Sequence, residues 1–437
     1  MTARFLLFLF LVFSQAVSAQ SFVQVQEGRF VLNGQPYYYI GTNYWYGSLL
    51  AQGANRKVNG ARLRYELNFL AQQGVTNLRL LGGAEGEGLI NGMPRVGPPL
   101  QPEQGRFNDS VLDGLDLVLA EMGKRKMKAV IMLSNNWEWS GGFLQYLNWN
   151  GLLPDSILRR KLSWDEMRDY GSRFYGCAPC VEAYRKQVAH LLERRNKITG
   201  IAYADDPAIM AWELANEPRP MRPAANEAYS RWVADLASFI KSRAPKQLVT
   251  LGHEGYIGTE SPALYESIHR DKNVDYLTIH IWPKNWGWFR KDSMEADFGA
   301  VLQKTGAYID HHVAQAEALR KPLVVEEFGM PRDRHLFSPR DSTQLRDQYF
   351  RFIFERWRNS QREAGVLCGV NFWAFGGSAR AAQLFWKPGD AYMGDPPMEE
   401  QGLNTVFDSD RSTWLLIEGY TGRKKPLRKQ APRAWRN

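Results

Sequence analysis

Trp212-Glu213-Leu214-Ala215-Asn216-Glu217-Pro218 is an apolar, strand-like run that ends abruptly in a carboxylate, and Val324-Val325-Glu326-Glu327-Phe328-Gly329 repeats the pattern further along. A parallel strand covered on both faces reads as a continuous apolar run, so an acid at its end is costly unless it faces a cleft. In a β/α barrel, groups at the C-terminal ends of the strands converge on one pocket. Two such runs call for six more strands with helices between them.

The rest of the chain supplies them. Strand-like runs fall at 37–42, 76–81, 128–134, 208–215, 248–252, 276–281, 323–327 and 366–374, and helical periodicity marks 62–73, 110–126, 181–195, 226–242, 298–319 and 342–362. Repeated βα units predict a closed (β/α)8 TIM barrel in a single domain. The alternative, an open doubly wound sheet, needs a glycine-rich phosphate turn after the first strand, and Gly41-Thr42-Asn43-Tyr44-Trp45 is not one. An opening β-hairpin is expected over 22–26 and 29–32, with Asn33-Gly34 as its turn signal. Long loops after strand three (139–168) and strand eight (376–412) belong on the catalytic face.

Residues 1–19 have the pattern of a signal peptide: Arg4, an apolar run over 5–13, and Val17-Ser18-Ala19 for cleavage. That core is short for a bilayer span. The expectation is an exported protein, secreted or periplasmic, with no membrane attachment after cleavage. A barrel domain would span 20–420 and a basic tail 421–437. The pI of 9.3 is a property of that tail. Residues 421–437 hold seven Lys or Arg and no acid, and without them and Arg4 the net charge falls from +9 to about +1. The body therefore has no global bias toward nucleic acid. The tail reads as a solvated segment, with binding to an acidic surface as the sharper alternative. Of three cysteines, Cys177 and Cys180 form a C-x-x-C that suits a local disulfide in an exported chain, since no second pair completes a zinc site. Cys368 reads as a small buried thiol in a strand.

Paired carboxylates flanking a bond are the equipment of glycoside hydrolysis. Pro218 stops the strand behind Glu217, and Asn216 can hold a sugar hydroxyl beside the reacting carbon. Side chains alternate along a strand, so only one of Glu326 and Glu327 is expected to face the barrel mouth, the other pairing with a cation behind the barrel. Periodicity does not choose between them.

Asn216-Glu217-Pro218 at strand four, with Glu-Phe-Gly at strand seven, resembles glycoside hydrolase family 5, of the clan of (β/α)8 retaining glycosidases. The resemblance spans about 22–417 and implies Glu217 as acid/base and Glu327 as nucleophile. It further implies Asn216 on the 2-hydroxyl, Arg79 orienting the nucleophile, His280 and Trp282 as the strand-six pair, and Trp373 flooring the sugar site. Trp282 stands where the family more often has tyrosine, and an indole donates one hydrogen bond without a phenol's acceptor role. Ser134-Asn135-Asn136-Trp137, Glu217-Pro218-Arg219, Leu251-Gly252-His253-Glu254-Gly255 and Pro396-Pro397 with Asn404-Thr405-Val406-Phe407-Asp408 resemble endo-β-1,4-mannanases more than cellulases.

Trp137, Trp282 and Trp373 adjoin strand ends and suit packing against sugar C–H faces, and Arg219 suits hydroxyls on the leaving-group side. His253 and Glu254 fit either tuning of the acid/base or support behind it. His311-His312 is a contiguous pair without the i, i+4 spacing of helix-borne metal ligands, so it reads as solvated, and no metal or cofactor is expected. A P-loop and a Gly-x-Ser-x-Gly elbow are both missing from the sequence. The expectation is a secreted, monomeric, retaining endo-β-1,4-mannanase acting on mannan, galactomannan or glucomannan. The alternatives are an endo-β-1,4-glucanase or other β-glycanase on the same scaffold and, from another class, a non-catalytic polysaccharide-binding protein.

Overall fold

The structure, a computed structural model, describes residues 21–52 and 56–422. The segment 1–19, expected to be a leader, and almost all of the basic tail lie outside the described residues. Eight strands form one sheet: β1 Tyr39–Asn43, β2 Asn77–Leu81, β3 Lys128–Met132, β4 Ile209–Glu213, β5 Leu248–Thr250, β6 Leu277–Ile281, β7 Leu323–Phe328 and β8 Leu367–Phe372. Their order is β5-β4-β3-β2-β1-β8-β7-β6, and each neighbouring pair is parallel. At the seam, Asp275 N donates to Val249 O (2.8 Å) and His280 N to Glu254 O (3.1 Å), bringing β5 and β6 together. Every residue of the eight strands is buried, as apolar runs covered on both faces require.

A helix follows each strand: α1 Arg56–Gln72, α2 Asp109–Lys124, α3 Ala178–Glu193, α4 Asn226–Arg243, α5 Pro262–His269, α6 Met294–Leu319, α7 Gln344–Glu363 and α8 Arg411–Thr421. The expected list lacked α5 and α8. The first has only eight residues, too few for a periodic signal, although Ser261 caps it by accepting from Leu264 N and Pro262 occupies its first turn.

The opening hairpin differs in register from the expectation. Glu27 (φ 50°) and Gly28 (φ 73°) turn Gln24–Gln26 into Arg29–Leu32, whereas Asn33 (φ 54°) and Gly34 (φ 72°) turn the latter into a third strand, Gln35–Pro36. The hairpin places Phe30 against Tyr276 (ring centroids 5.1 Å apart), in a core cluster with Val130, Met210, Val324 and Cys368 at the N-terminal end of the barrel. This small apolar cluster closes the end of the barrel opposite the mouth, where the acids collect.

The segment after β3 is not an irregular loop. It folds into three short helices, Gly142–Trp149, Asp155–Leu158 and Trp164–Gly171, the last started by a Ser163/Glu166 capping box. Cys177 and Cys180 are joined by a disulfide at the start of α3. The histidine pair is not jointly solvated: His312 is buried and stacked on Tyr256 (5.2 Å), while His311 is exposed. Among the described residues, no helix is long and apolar enough to cross a membrane.

Candidate active site

Glu217 and Glu327 meet at the C-terminal mouth of the barrel. Glu217 sits four residues beyond β4 in a left-handed backbone conformation (φ 49°), a strained turn that Pro218 terminates and that aims the carboxylate inward. His280 of β6 joins the two acids: its Nδ1 is 2.6 Å from a Glu217 oxygen and 3.4 Å from a Glu327 oxygen. One ligand atom from each of the three lies within 4.8 Å of the others. An approach this close is compatible with carboxyl pairs set for direct attack, whose groups stand about 5–5.5 Å apart.

Arg79 on β2 is the electrostatic centre beneath this pair. All five of its N–H groups are used. They donate to both oxygens of Glu213 (2.6 and 2.7 Å), to Asn216 Oδ1 (2.8 Å), to Asn43 Oδ1 (3.0 Å) and to Glu327. Trp282 donates its indole N–H to the other oxygen of Glu327 (3.0 Å), so an indole takes the donor half of the role more often held by tyrosine. Gly329 makes room for that indole, since a Cβ there would stand 2.6 Å from Cζ3 of Trp282. Trp137 donates its indole N–H to Glu217. Asn216 is oriented by Arg79 on one side and Asn135 Oδ1 (3.0 Å) on the other.

Burial raises the Glu217 carboxyl above its usual range, opposed by the Arg219 charge and the Trp137 hydrogen bond. Burial raises Glu327 too, against the pull of Arg79, and the neighbouring Glu217 charge adds to the rise. Two buried carboxyls this close resist being ionised together, which favours one shared proton. His280 is lowered to about 4, mainly by burial, and is neutral at physiological pH.

The acids open into a cavity of about 540 Å³ whose walls include Trp137, Trp164, Asn216, Arg219, Trp282 and Trp373. Trp373 stands edge-on to Trp282 (5.8 Å, 77°), and its indole N–H has no protein partner. Arg219 pairs with Glu254 (2.6 Å) while its guanidinium lies over the Trp137 ring (4.9 Å).

Ten residues singled out from the sequence as catalytic or substrate-binding sort into two layers. Glu217, Glu327, Asn216, Trp137, Arg219, Trp282 and Trp373 face the cavity. Arg79 and His280 are wholly buried beneath it and act through the acids. His253, also wholly buried, does not reach the cavity. It packs among Tyr229, Tyr265 and His269, and its Nδ1 accepts from Gly255 N (3.1 Å), which makes it a support for the loop after β5.

Glu326 departs from expectation in another way. It does not face a cation behind the barrel. It lies inside, 3.7 Å from Arg79 Nε and 3.6 Å from His280 Nε2. The pairing registers of β7 slip at Glu326-Glu327 on both sides, and this irregularity turns both acids inward.

Sequence patterns did not flag Trp164, Glu138, Asn285, Met398 and Glu399, which also line the cavity. Burial and the charge of Asp395 push the Glu399 carboxyl up to about 8, and its Oε2 has no protein partner. A metal ion bridging Glu217, His280 and Glu327 would have to share Glu327 with the Arg79 guanidinium.

Comparison with known proteins agrees with this geometry. The family model described as glycoside hydrolase family 5 beta-mannosidase-like matches residues 20–429. Mannan endo-1,4-beta-mannosidase 1 of Oryza sativa subsp. japonica is 31% identical over 431 residues, covering 94% of this chain and 88% of that protein. The crystal structure of a glycoside hydrolase family 5 mannosidase from Rhizomucor miehei superposes with a TM-score of 0.82 at 31% identity, over 92% of this chain and 97% of that one. The endo-1,4-beta-mannanase structure from the same organism superposes with a TM-score of 0.65 at 22% identity, a likeness of fold.

Proposed function

The chain belongs to glycoside hydrolase family 5, and on that premise we propose that it is a retaining endo-β-1,4-mannanase acting on mannan, galactomannan or glucomannan. The observation that carries this is the Glu217–His280–Glu327 triplet seated on Arg79. Arg79 and Trp282 both donate to Glu327, and a cationic donor favours the ionised form, so the proton held by the pair resides on Glu217.

Glu327 attacks the anomeric carbon while Glu217 gives its proton to the glycosidic oxygen. The leaving chain departs as an alcohol and a mannosyl ester of Glu327 remains. Glu217, now a carboxylate, takes a proton from water as the water's oxygen displaces Glu327, which restores both groups. The fold, at the level of its family, and the mannan-acting relatives support the substrate. Reducing-end release from mannan, carboxymethyl cellulose and xylan, with Glu217→Gln as blank, tests it. Cleavage of mannan alone is expected, and cleavage of cellulose alone would replace mannan with glucan.

One observation favours a second mode, release of terminal mannose. The Tyr392 hydroxyl donates to Gly97 O (2.8 Å) and accepts from Gly97 N (3.0 Å), while its ring packs on Trp45 (5.4 Å) and Trp386 (5.0 Å). Val96 N also donates to Trp139 O (2.8 Å). These contacts strap the loops after β2, β3 and β8 together, across the barrel from β5 and β6. Of these residues Trp139 lines the cavity, and closure at that end would admit a chain by its terminus. Early products separate the modes, since internal cleavage yields mixed oligosaccharides and terminal cleavage yields mannose alone.

Export belongs to the same proposal, supported by the leader pattern at residues 1–19. An N-terminus near Gln20 in protein collected outside the cytoplasm would agree with it, and a retained Met1 would not.

A further inference from the structure

A second concavity, of about 460 Å³, lies beside the catalytic cavity between α6 and the segment that precedes α5. Its walls are Tyr256, Ile257, Trp288, Lys304, Tyr308 and His311, together with Pro262 and Ala307. Ile257 lines both concavities, which makes them neighbours along one surface. Trp286 of the catalytic cavity packs edge-on against Trp288 (5.1 Å) and lies 5.2 Å from Tyr308. The Tyr308 hydroxyl donates to Glu254 O (2.7 Å), and the Glu254 carboxylate holds Arg219, two residues beyond the acid/base. The groove therefore continues the cleft on the side where Glu217 protonates the leaving group.

Its chemistry suits a neutral sugar. Trp288 and Tyr256 are half-buried rings, each held in place from behind: Trp288 by Trp286, and Tyr256 by the stacked ring of His312. The Lys304 ammonium lies over Trp288 (5.9 Å), and His311 stands edge-on to Tyr256 (5.0 Å), so exposed polar groups rim an apolar floor. Flat rings pack the C–H face of a pyranose while rim groups meet its hydroxyls. Among the described residues no carboxylate lines the groove, so a cationic ligand would find no counter-charge there.

We propose that this groove is a distal subsite for the leaving-group end of the polysaccharide, taking a mannosyl residue several sugars beyond the cleaved bond. The inference rests on the mannan reading above and adds where the far end of the chain is held.

Ala307→Trp tests it, because Ala307 is exposed on α6 and a large side chain there fills the groove while leaving the cleft's own residues unchanged. The expected result is a fall of about five- to tenfold in kcat/KM on mannohexaose, the scale of one aromatic contact, with mannotriose turnover unchanged. Equal rates on both substrates in variant and wild type would overturn the subsite. Trp288→Ala, with folding checked by circular dichroism, should reproduce the length-dependent loss. Failure of the mannan reading is seen separately, as no cleavage of either substrate by wild type. In that case calorimetric titration of mannohexaose decides: weaker binding to Ala307→Trp supports the groove as a sugar site, and equal or absent binding refutes it.

Discussion

Arg79 and Glu213 form a bidentate pair, 2.6 and 2.7 Å, with both side chains wholly removed from solvent beneath the carboxyls of Glu217 and Glu327. Glu213, Glu326 and Glu327 all turn toward that single guanidinium. Burial raises the carboxyls of Glu213 and Glu326, and Arg79 offsets part of the rise in each. Three buried acids thus share one cation beneath the mouth, and the cost of losing that cation falls on folding as well as on chemistry.

Arg79→Met should therefore destabilise the protein by about 3–5 kcal/mol, the range for breaking one side of a buried ion pair. Denaturant unfolding followed by tryptophan fluorescence measures it. A variant as stable as wild type would mean that the three acids are neutral in the folded state and that Arg79 carries no structural load.

Trp282→Phe should keep the fold and the packing against Gly329 while removing the hydrogen bond to Glu327. A lost hydrogen bond to a charged group corresponds to a fall of about 10- to 100-fold in kcat/KM. Trp282→Tyr, which restores a donor, should recover part of the rate. Equal losses in both variants would point to packing as the role of the indole.

Arg219→Gln should move the alkaline limb of the kcat/KM–pH profile to higher pH. Glu217 is raised chiefly by burial, and the Arg219 charge is the largest effect opposing that rise. Removing the charge lets Glu217 keep its proton to higher pH, and the unpaired Glu254 acts in the same direction. A limb that moved to lower pH would contradict Glu217 as the group that must be protonated.

Glu326→Gln should retain activity within about tenfold of wild type, because it removes a buried acid that touches no substrate, whereas Glu327→Gln should lose several orders of magnitude. Assays on folded protein compare the two directly. An active Glu327→Gln beside an inert Glu326→Gln would reverse the assignment.

The barrel was legible in the sequence because its strands are buried on both faces and read as eight apolar runs. The pair of acids at the mouth was legible for the same reason, since Glu217 and Glu327 interrupt such runs at their ends. What strand alternation could not resolve was Glu326 against Glu327. The register slips beside both acids, so the rule that sends neighbours to opposite faces fails at this point. Which of the two roles His253 takes was not legible, because the sharp turn at Gly252 (φ 75°) carries the chain out of the strand pattern and sends that ring into the core as a support. Glu138, Trp164, Met398 and Glu399 reach the cavity from segments long in sequence, where no local periodicity indicates which side chain returns to the mouth.

In the proposed mechanism Glu327 forms the covalent bond to the sugar. Treating the enzyme with 2-deoxy-2-fluoro-β-mannosyl fluoride should trap that ester, because the 2-fluorine slows both its formation and its hydrolysis while the fluoride leaving group speeds its formation alone. Mass spectrometry of the digested protein should then find one fluoromannosyl unit on the peptide containing Glu326 and Glu327, with fragmentation placing it on Glu327. A label on Glu326 or Glu217, or turnover that never yields a labelled protein, would contradict the account.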